Sequence, residues 1–127
     1  MKVFDSSAVL ALIFNEPGAD MAAQLMDADE AVISSVNHAE VWAKLLDTGL
    51  SPSDVATIAQ QLPLTVMPFT ADQARLAGNL RPSTGALGLS LGDRCCLALA
   101  QQLPDATVVT ADRPWAGLSG WDIALIR

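Results

Sequence analysis

The chain has 127 residues, a mass of 13.3 kDa and a mean hydropathy of +0.35, which fits one domain and excludes an intrinsically disordered chain. A net charge of −7 argues against docking on nucleic acid through a broad basic face, but not against chemistry at a local, metal-neutralised site. No apolar run is long enough for a bilayer and no signal-peptide pattern is present, so we expect a single cytoplasmic domain over residues 1–127 without membrane association.

Short apolar runs alternate with helical patterns along the whole chain. In chain order we predict strand 2–4, helix 7–14, helix 20–26, strand 31–34, helix 37–49, helix 51–62, strand 64–69, helix 70–80, loop 81–90, helix 91–103, strand 106–110, turn 111–120 and strand 121–126. This alternation predicts βα units, and therefore an α/β fold with a mostly parallel sheet covered by helices on both faces.

Two acidic residues come directly after predicted strands. Asp5 follows strand 2–4, and Asp112 follows the core of the strand TVVT by two residues. Ligands of open parallel α/β sheets bind outside the carboxyl ends of the strands. We therefore expect Asp5 and Asp112 to lie at the same edge of the sheet.

Two further acids have a competing structural explanation. Glu40 and Asp93 each lie three residues after a good N-cap residue, Asn37 and Ser90 respectively. A capping box accounts for such a pair without any further function. The helical period, however, places Asp93 in line with Ala100 on an apolar stripe, where a capping carboxylate need not be. Glu40 lies at the flank of its stripe, so both interpretations stay open for it.

Carboxylates that converge in one cleft cannot all ionise cheaply, because like charges repel and burial disfavours the charged form. A hard divalent cation such as Mg²⁺ or Mn²⁺, which prefers oxygen ligands, resolves this conflict. The glycine-rich stretch GALGLSLGD lacks the Lys-Ser/Thr ending of a nucleotide-binding loop and does not follow a strand. The acids therefore indicate a cation site rather than a nucleotide site.

Four segments, in order and at similar spacing, resemble the PIN-domain ribonucleases of the VapC type, which are the toxins of type II toxin–antitoxin pairs. The segments are VFDSSAVLALIF, SSVNHAEVWAKL, LSLGDRCCLALA and VVTADRPW. The resemblance covers essentially the whole chain. It implies a PIN-like, Rossmann-like three-layer α/β/α sandwich whose central sheet is mostly parallel and has about five strands.

The resemblance also implies an activity and a site. The activity is that of a Mg²⁺- or Mn²⁺-dependent endoribonuclease, in which metal-activated water cleaves RNA and translation and growth are inhibited. In this family pattern Asp5, Asp93 and Asp112 hold the metal, and Glu40 coordinates, orients or deprotonates the attacking water. Two hydroxyl residues, Ser6 and Thr110, match positions that order water or a carboxylate, although a local backbone hydrogen bond explains them equally well.

The sequence gives weaker indications of the binding partners than of the acidic site. Arg94 and Arg113 each come directly after one of these acids, where they meet RNA phosphates or, alternatively, pair with neighbouring acids. A cognate VapB-type antitoxin is implied by the resemblance, and we also expect a homodimer. The apolar residues of segments 8–26 and 55–62 form an antitoxin groove, a dimer face or ordinary core.

Two other classes of protein also place an aspartate at a strand end. A receiver-like regulatory module with an acidic cation site needs a late lysine, and no lysine follows Lys44. A phosphatase of the haloacid dehalogenase type needs a second aspartate two residues after the first, where this chain has Ser7. The receiver-like module remains the main alternative to the nuclease.

Overall fold

The computed structural model describes residues 1–127 as a five-stranded sheet with helices on both faces. The strands are β1 (Lys2–Phe4), β2 (Ala31–Ser34), β3 (Thr65–Met67), β4 (Thr107–Thr110) and β5 (Ile123–Leu125). The helices are α1 (Ser6–Ile13), α2 (Ala19–Ala28), α3 (Ser35–Asp47), α4 (Pro52–Gln60), α5 (Ala71–Asn79), α6 (Arg81–Thr84) and α7 (Leu91–Gln101), with 3-10 turns at Gly85–Leu87 and Arg113–Gly117. None of the helices combines the length and apolar character needed to cross a bilayer.

The strand order is β3-β2-β1-β4-β5, and every neighbouring pair is parallel. The chain builds outward from β1 through β2 to β3, then returns to the other side of β1 to add β4 and β5. The order therefore reverses between β1 and β4, whose carboxyl ends lie side by side. Such a reversal is where open α/β sheets bind their ligands.

Alternate residues of the strands enter two separate cores, one on each face of the sheet. Phe4, Ile33 and Val109 pack with residues of α1 to α4. Val3 and Val108 pack on the other face, against α7 and Trp115. Burial on both faces explains why the strands are continuous apolar runs. The predicted three-layer α/β/α architecture is confirmed, and the sheet is wholly parallel.

Helix α3 begins two residues earlier than predicted. Its N-cap is Ser34, whose side chain accepts a hydrogen bond from the Val36 amide. Asn37 is therefore inside the helix, which excludes the capping-box explanation of Glu40. The capping box of Ser90 and Asp93 is present, because the two residues exchange both hydrogen bonds at the start of α7.

The stretch 81–90 was predicted as a loop, but α6 and a 3-10 turn occupy most of it. Its Gly, Ser and Pro content favoured a loop. Pro82, however, lies in the first turn of α6, where a fixed φ and a missing N–H are no disadvantage. The prediction was therefore wrong for the helical part of this segment.

Gly18 is expected to tolerate no side chain. It has a φ of +95°, and a Cβ atom there would lie 2.6 Å from the carbonyl oxygen of Ile126. Gly49 has the same φ but no atom within 4 Å of such a Cβ, so it is a matched control. Both alanine substitutions incur the left-handed penalty of about 1–2 kcal/mol, and Gly18→Ala adds about 1–3 kcal/mol for overpacking. Urea unfolding checks the difference, and equal losses at the two sites would contradict this account.

Candidate metal centre at the carboxyl edge of the sheet

Asp5 is a buried carboxylate held by four hydrogen bonds from three groups. It follows β1, caps α1 and is only 1% exposed. Its Oδ1 accepts from the Ala8 amide at 2.9 Å and from Ser7 Oγ at 2.7 Å. Its Oδ2 accepts from Thr110 Oγ1 at 2.5 Å and from Ser7 Oγ at 2.9 Å. These bonds fix the orientation of the carboxylate at the end of β1.

The same two hydroxyls connect Asp5 to the end of β4. Ser7 Oγ accepts from the Ala111 amide at 2.9 Å, and Thr110 Oγ1 accepts from the Asp112 amide at 3.0 Å. Each hydroxyl therefore donates to Asp5 and accepts from the backbone that leads into Asp112. Thr110 lies where the sequence predicted an ordering hydroxyl, whereas Ser7 rather than Ser6 is hydrogen-bonded to Asp5.

Three carboxylates converge at this edge. One oxygen from each of Asp5, Asp93 and Asp112 lies within 4.8 Å of the other two. Asp93 comes from the first turn of α7, and its Oδ2 accepts from the Ser90 amide at 2.9 Å. The cap occupies only that oxygen, so capping and cation binding are compatible roles for Asp93. Asp112 is exposed, Asp93 half-buried and Asp5 buried, so the cluster opens from the interior to the surface.

The negative charge of the cluster is only partly balanced by nearby basic groups. Burial raises the pKa of Asp5 to about 7, against the lowering effect of its hydrogen bonds, and the charge of Asp112 adds a smaller rise. Although Asp112 is exposed, its partial desolvation, followed by the charge of Asp93, raises its pKa, and Arg127 partly opposes this. The four ion pairs of the structure involve none of the three acids. A divalent cation with oxygen ligands therefore fits this donor set.

Glu40 lies beside the cluster but is not one of its three converging residues. Its Oε1 accepts from Nδ2 of Asn37 at 2.7 Å, and the same Nδ2 donates to the Gly92 carbonyl oxygen at 3.0 Å. A Cβ atom on Gly92 would lie 2.6 Å from Glu40 Oε2. The carboxylate of Glu40 is thus held against the first turn of α7, next to Asp93.

The two arginines have different environments. Arg94 is 8% exposed and donates from Nη1 to the Ala77 carbonyl of α5 at 3.0 Å, so it is not brought to the acidic cluster. Arg113 is exposed and directly follows Asp112. Neither Ser7 nor Asn37 was predicted as a site residue. For Ser7 a signal was available, since hydroxyls near an aspartate cap commonly make such local hydrogen bonds.

A parallel α/β sheet with three carboxylates at its switch point defines an α/β protein with a candidate divalent-cation site. The model of the PIN domain family matches residues 2–119, a range that includes all four acids. The chain therefore belongs to the PIN domain family, whose members are nucleases. No curated protein matches the chain in sequence.

Solved structures share this fold over their full length. A chain of a toxin–antitoxin complex from Klebsiella pneumoniae has a TM-score of 0.75 at 21% identity, covering 100% of this chain and 98% of that one. A chain of the DNA-bound VapBC from Salmonella typhimurium has a TM-score of 0.72 at 16% identity, covering 99% and 98%. FitAcB from Neisseria gonorrhoeae gives 0.70 at 16% identity, with 99% and 98% covered. At these identities the likeness establishes a common fold.

Proposed function

We propose that this chain is a divalent-metal-dependent endoribonuclease and the toxin of a VapBC-type toxin–antitoxin pair, whose RNA cleavage inhibits translation and growth. The convergence of Asp5, Asp93 and Asp112, none of which pairs with a basic side chain, carries the proposal. Membership of a nuclease family supports phosphodiester hydrolysis. The similarity to toxin–antitoxin complexes supports the toxin role.

Asp5, Asp93 and Asp112 would hold a Mg²⁺ or Mn²⁺ ion, because each offers a carboxylate oxygen to a common point. When bound, such an ion stabilises negative charge on phosphoryl oxygens and makes water more acidic. Ser7 and Thr110 keep the Asp5 carboxylate in one orientation through their hydroxyl donors. They therefore preorganise the most buried of the three ligands.

Glu40 is proposed to accept the proton of the attacking water. It is exposed to solvent and lies outside the three converging carboxylates, so it remains free for proton transfer. The water oxygen bonds to phosphorus while the bond from phosphorus to the 3′ oxygen breaks. The leaving oxygen takes a proton from solvent, which gives a 5′-phosphate and a 3′-hydroxyl. Arg113, exposed beside Asp112, is placed to contact an RNA phosphate.

A small VapB-type antitoxin is the proposed partner. Helices α1, α3 and α4 enclose an almost entirely apolar pocket, lined among others by Val9, Ile13, Trp42, Leu45 and Val55. An apolar groove between helices suits an amphipathic segment of a partner. The charge of −7 suits a basic partner segment that reaches the acidic edge of the sheet.

The nuclease assignment is tested with a pair of matched capping-box variants. Asp93 and Asp54 occupy the same position of two capping boxes, but only Asp93 belongs to the acidic cluster. Both variants keep the N-cap serine and the hydrogen bond from the backbone amide to it, so we expect Asp93→Asn and Asp54→Asn to lose little stability. Asp93→Asn should lose at least about 10²-fold in cleavage, since a metal ligand supplies several kcal/mol of transition-state stabilisation.

The measurement is sequencing of new 5′-phosphate ends after total RNA is incubated with the protein, with Mn²⁺ or with a chelator. Discrete ends that need metal, persist in Asp54→Asn and vanish in Asp93→Asn support the assignment. Cleavage at the wild-type rate by Asp93→Asn, or in chelator, would overturn it.

A further inference from the structure

We propose that Asn37 is a positioning residue that, with the bare backbone of Gly92, fixes Glu40 for the reaction. The proposal rests on the function proposed above, in which Glu40 accepts a proton from water. It concerns how a carboxylate on an exposed helix position is kept in one place. Asn37 and Gly92 act from opposite sides of Glu40, and neither bears a group that takes part in the chemistry.

Both donor bonds of Asn37 serve this arrangement. The residue is 0% exposed in the first turn of α3, on the core side that continues with Val41 and Leu45. Its Nδ2 donates to Glu40 and to the carbonyl of Gly92. Since both partners only accept hydrogen bonds, the orientation of the amide is determined by them. Asn37 therefore links α3 to α7 through the carboxylate of Glu40.

The side-chain oxygen of Asn37 shows that this residue lowers the stability of the fold. Oδ1 of Asn37 is buried and has no hydrogen-bond partner. A buried polar atom left unpaired destabilises the fold, and an apolar side chain at this core position would avoid that cost. The amide is thus explained by its two donors and not by packing.

Glycine at position 92 is explained by the absence of a side chain, which leaves room for the Glu40 carboxylate, and not by its backbone conformation. It lies in the first turn of α7 with ordinary helical geometry, where glycine forms a helix less readily than alanine. A Cβ atom there would lie 2.6 Å and 2.7 Å from the two carboxylate oxygens of Glu40. Any larger residue would displace Glu40. Asn37 and Gly92 are therefore each less favourable for stability than an alternative residue. Both are explained by the position of the Glu40 carboxylate.

Fixing Glu40 matters because a free glutamate side chain loses rotamer entropy when it is ordered. Here the hydrogen bond from Asn37 restricts the Glu40 carboxylate before RNA binds. Small misplacements of a catalytic group lower rates by as much as about 10²-fold. We expect Asn37→Ala and Gly92→Ala each to lower kcat by about 10-fold to 100-fold, with KM for RNA nearly unchanged.

The test is a double-mutant cycle on one RNA oligonucleotide, using Asn37→Ala, Glu40→Gln and the combination. If Asn37 acts through Glu40, its removal should lower kcat in the wild-type background but have no further effect in Glu40→Gln. Asn37→Asp keeps the shape and loses the donors, so it should behave like Asn37→Ala.

Gln73→Ala is the matched control for the loss of a buried amide. Gln73 is 4% exposed, donates to Gln102 and also has an unpartnered buried oxygen, but it contacts none of the proposed site residues. It should lose stability as Asn37→Ala does and keep full kcat. A fall of kcat in Gln73→Ala equal to that in Asn37→Ala would show that general destabilisation is responsible, which would overturn the proposal.

A second readout does not depend on cleavage. The side-chain amide protons of Asn37 should be protected from exchange in NMR spectra, and their shifts should change in Glu40→Gln. Mn²⁺ affinity should stay within about threefold of wild type in Asn37→Ala, because all three proposed ligands remain. Wild-type kcat in Asn37→Ala, or an equal loss in both backgrounds, would overturn the positioning role. If Glu40→Gln cleaves normally while Asp93→Asn does not, the positioning role falls and the nuclease assignment stands.

Discussion

Replacing Asp5 by asparagine is expected to make the metal-free protein more stable and to abolish RNA cleavage. The carboxylate is buried, and its pKa is raised to about 7, so at pH 8 the fold holds a buried, uncompensated negative charge. A rise from 3.8 to about 7 corresponds to a loss of up to about 4 kcal/mol when the group ionises in the folded state. Asparagine never ionises and still accepts from the Ala8 amide through its oxygen.

Cleavage should fall at least about 10³-fold in Asp5→Asn, because the most buried proposed ligand no longer carries a charge. Thermal unfolding in chelator at pH 8 and cleavage in Mn²⁺ measure the two effects. Asp122→Asn is the control, since Asp122 also accepts a threonine hydroxyl at 2.6 Å but is exposed, so neither property should change. A less stable Asp5→Asn protein would show that the charge of Asp5 stabilises the metal-free fold.

Strand ends were predictable because they depend on local apolar patterning. Asp5 and Asp112 follow short buried runs, and parallel order brings those ends to one edge. Helical periodicity placed Asp93 on the apolar stripe of its helix, and the family resemblance placed it with Asp5 and Asp112. Local pattern was therefore sufficient for the two strand-end acids but not for the whole cluster.

The start of α3 could not be derived from local preference, because Ser34 and Asn37 are both good N-cap residues. Pairing decides between them: β2 continues through Ser34, which lies opposite Met67 of β3, so the helix starts at Ser35. That shift moves Asn37 into the core and removes the capping explanation for Glu40. The choice between Ser6 and Ser7 likewise depends on where Thr110 lies, about a hundred residues away.

Arg94 illustrates a signal that the sequence did contain. Adjacent residues of a helix point about 100° apart, so Arg94 cannot share the direction of Asp93. With Asp93 at the acidic cluster, Arg94 faces α5 and donates to Ala77. The adjacency of an arginine and an acid on a helix is therefore weak evidence for a common site. Asp112 has an extended backbone and precedes the 3-10 turn that Arg113 begins, so helical periodicity does not separate these two residues.

Cation binding is expected to compete with protons below about pH 7. Asp5 with a pKa of about 7 is largely protonated at pH 5, and an ion must displace that proton. Mn²⁺ affinity should therefore rise about tenfold per pH unit from pH 5 to about 7 and then level off. The raised pKa of Asp112 makes the dependence steeper at the acidic end. Calorimetric titration at several pH values measures it, with proton release read from two buffers of different ionisation enthalpy.

The free energy of unfolding should also depend on the protonation of Asp5, and the direction of this pH dependence can be predicted. Since the folded-state pKa of Asp5 is raised, the folded protein binds more protons than the unfolded chain between about pH 4 and 7. In chelator, the free energy of unfolding of wild type should therefore fall relative to that of Asp5→Asn as the pH rises from about 4 to 7. The total fall should reach about 4 kcal/mol. Saturating Mn²⁺ should abolish this fall at the upper end, because the ion replaces the proton as the partner of Asp5. If Mn²⁺ affinity does not depend on pH between 5 and 7, then Asp5 is already ionised before the ion binds. In that case protons do not compete with the ion, and Asp5→Asn does not stabilise the metal-free protein.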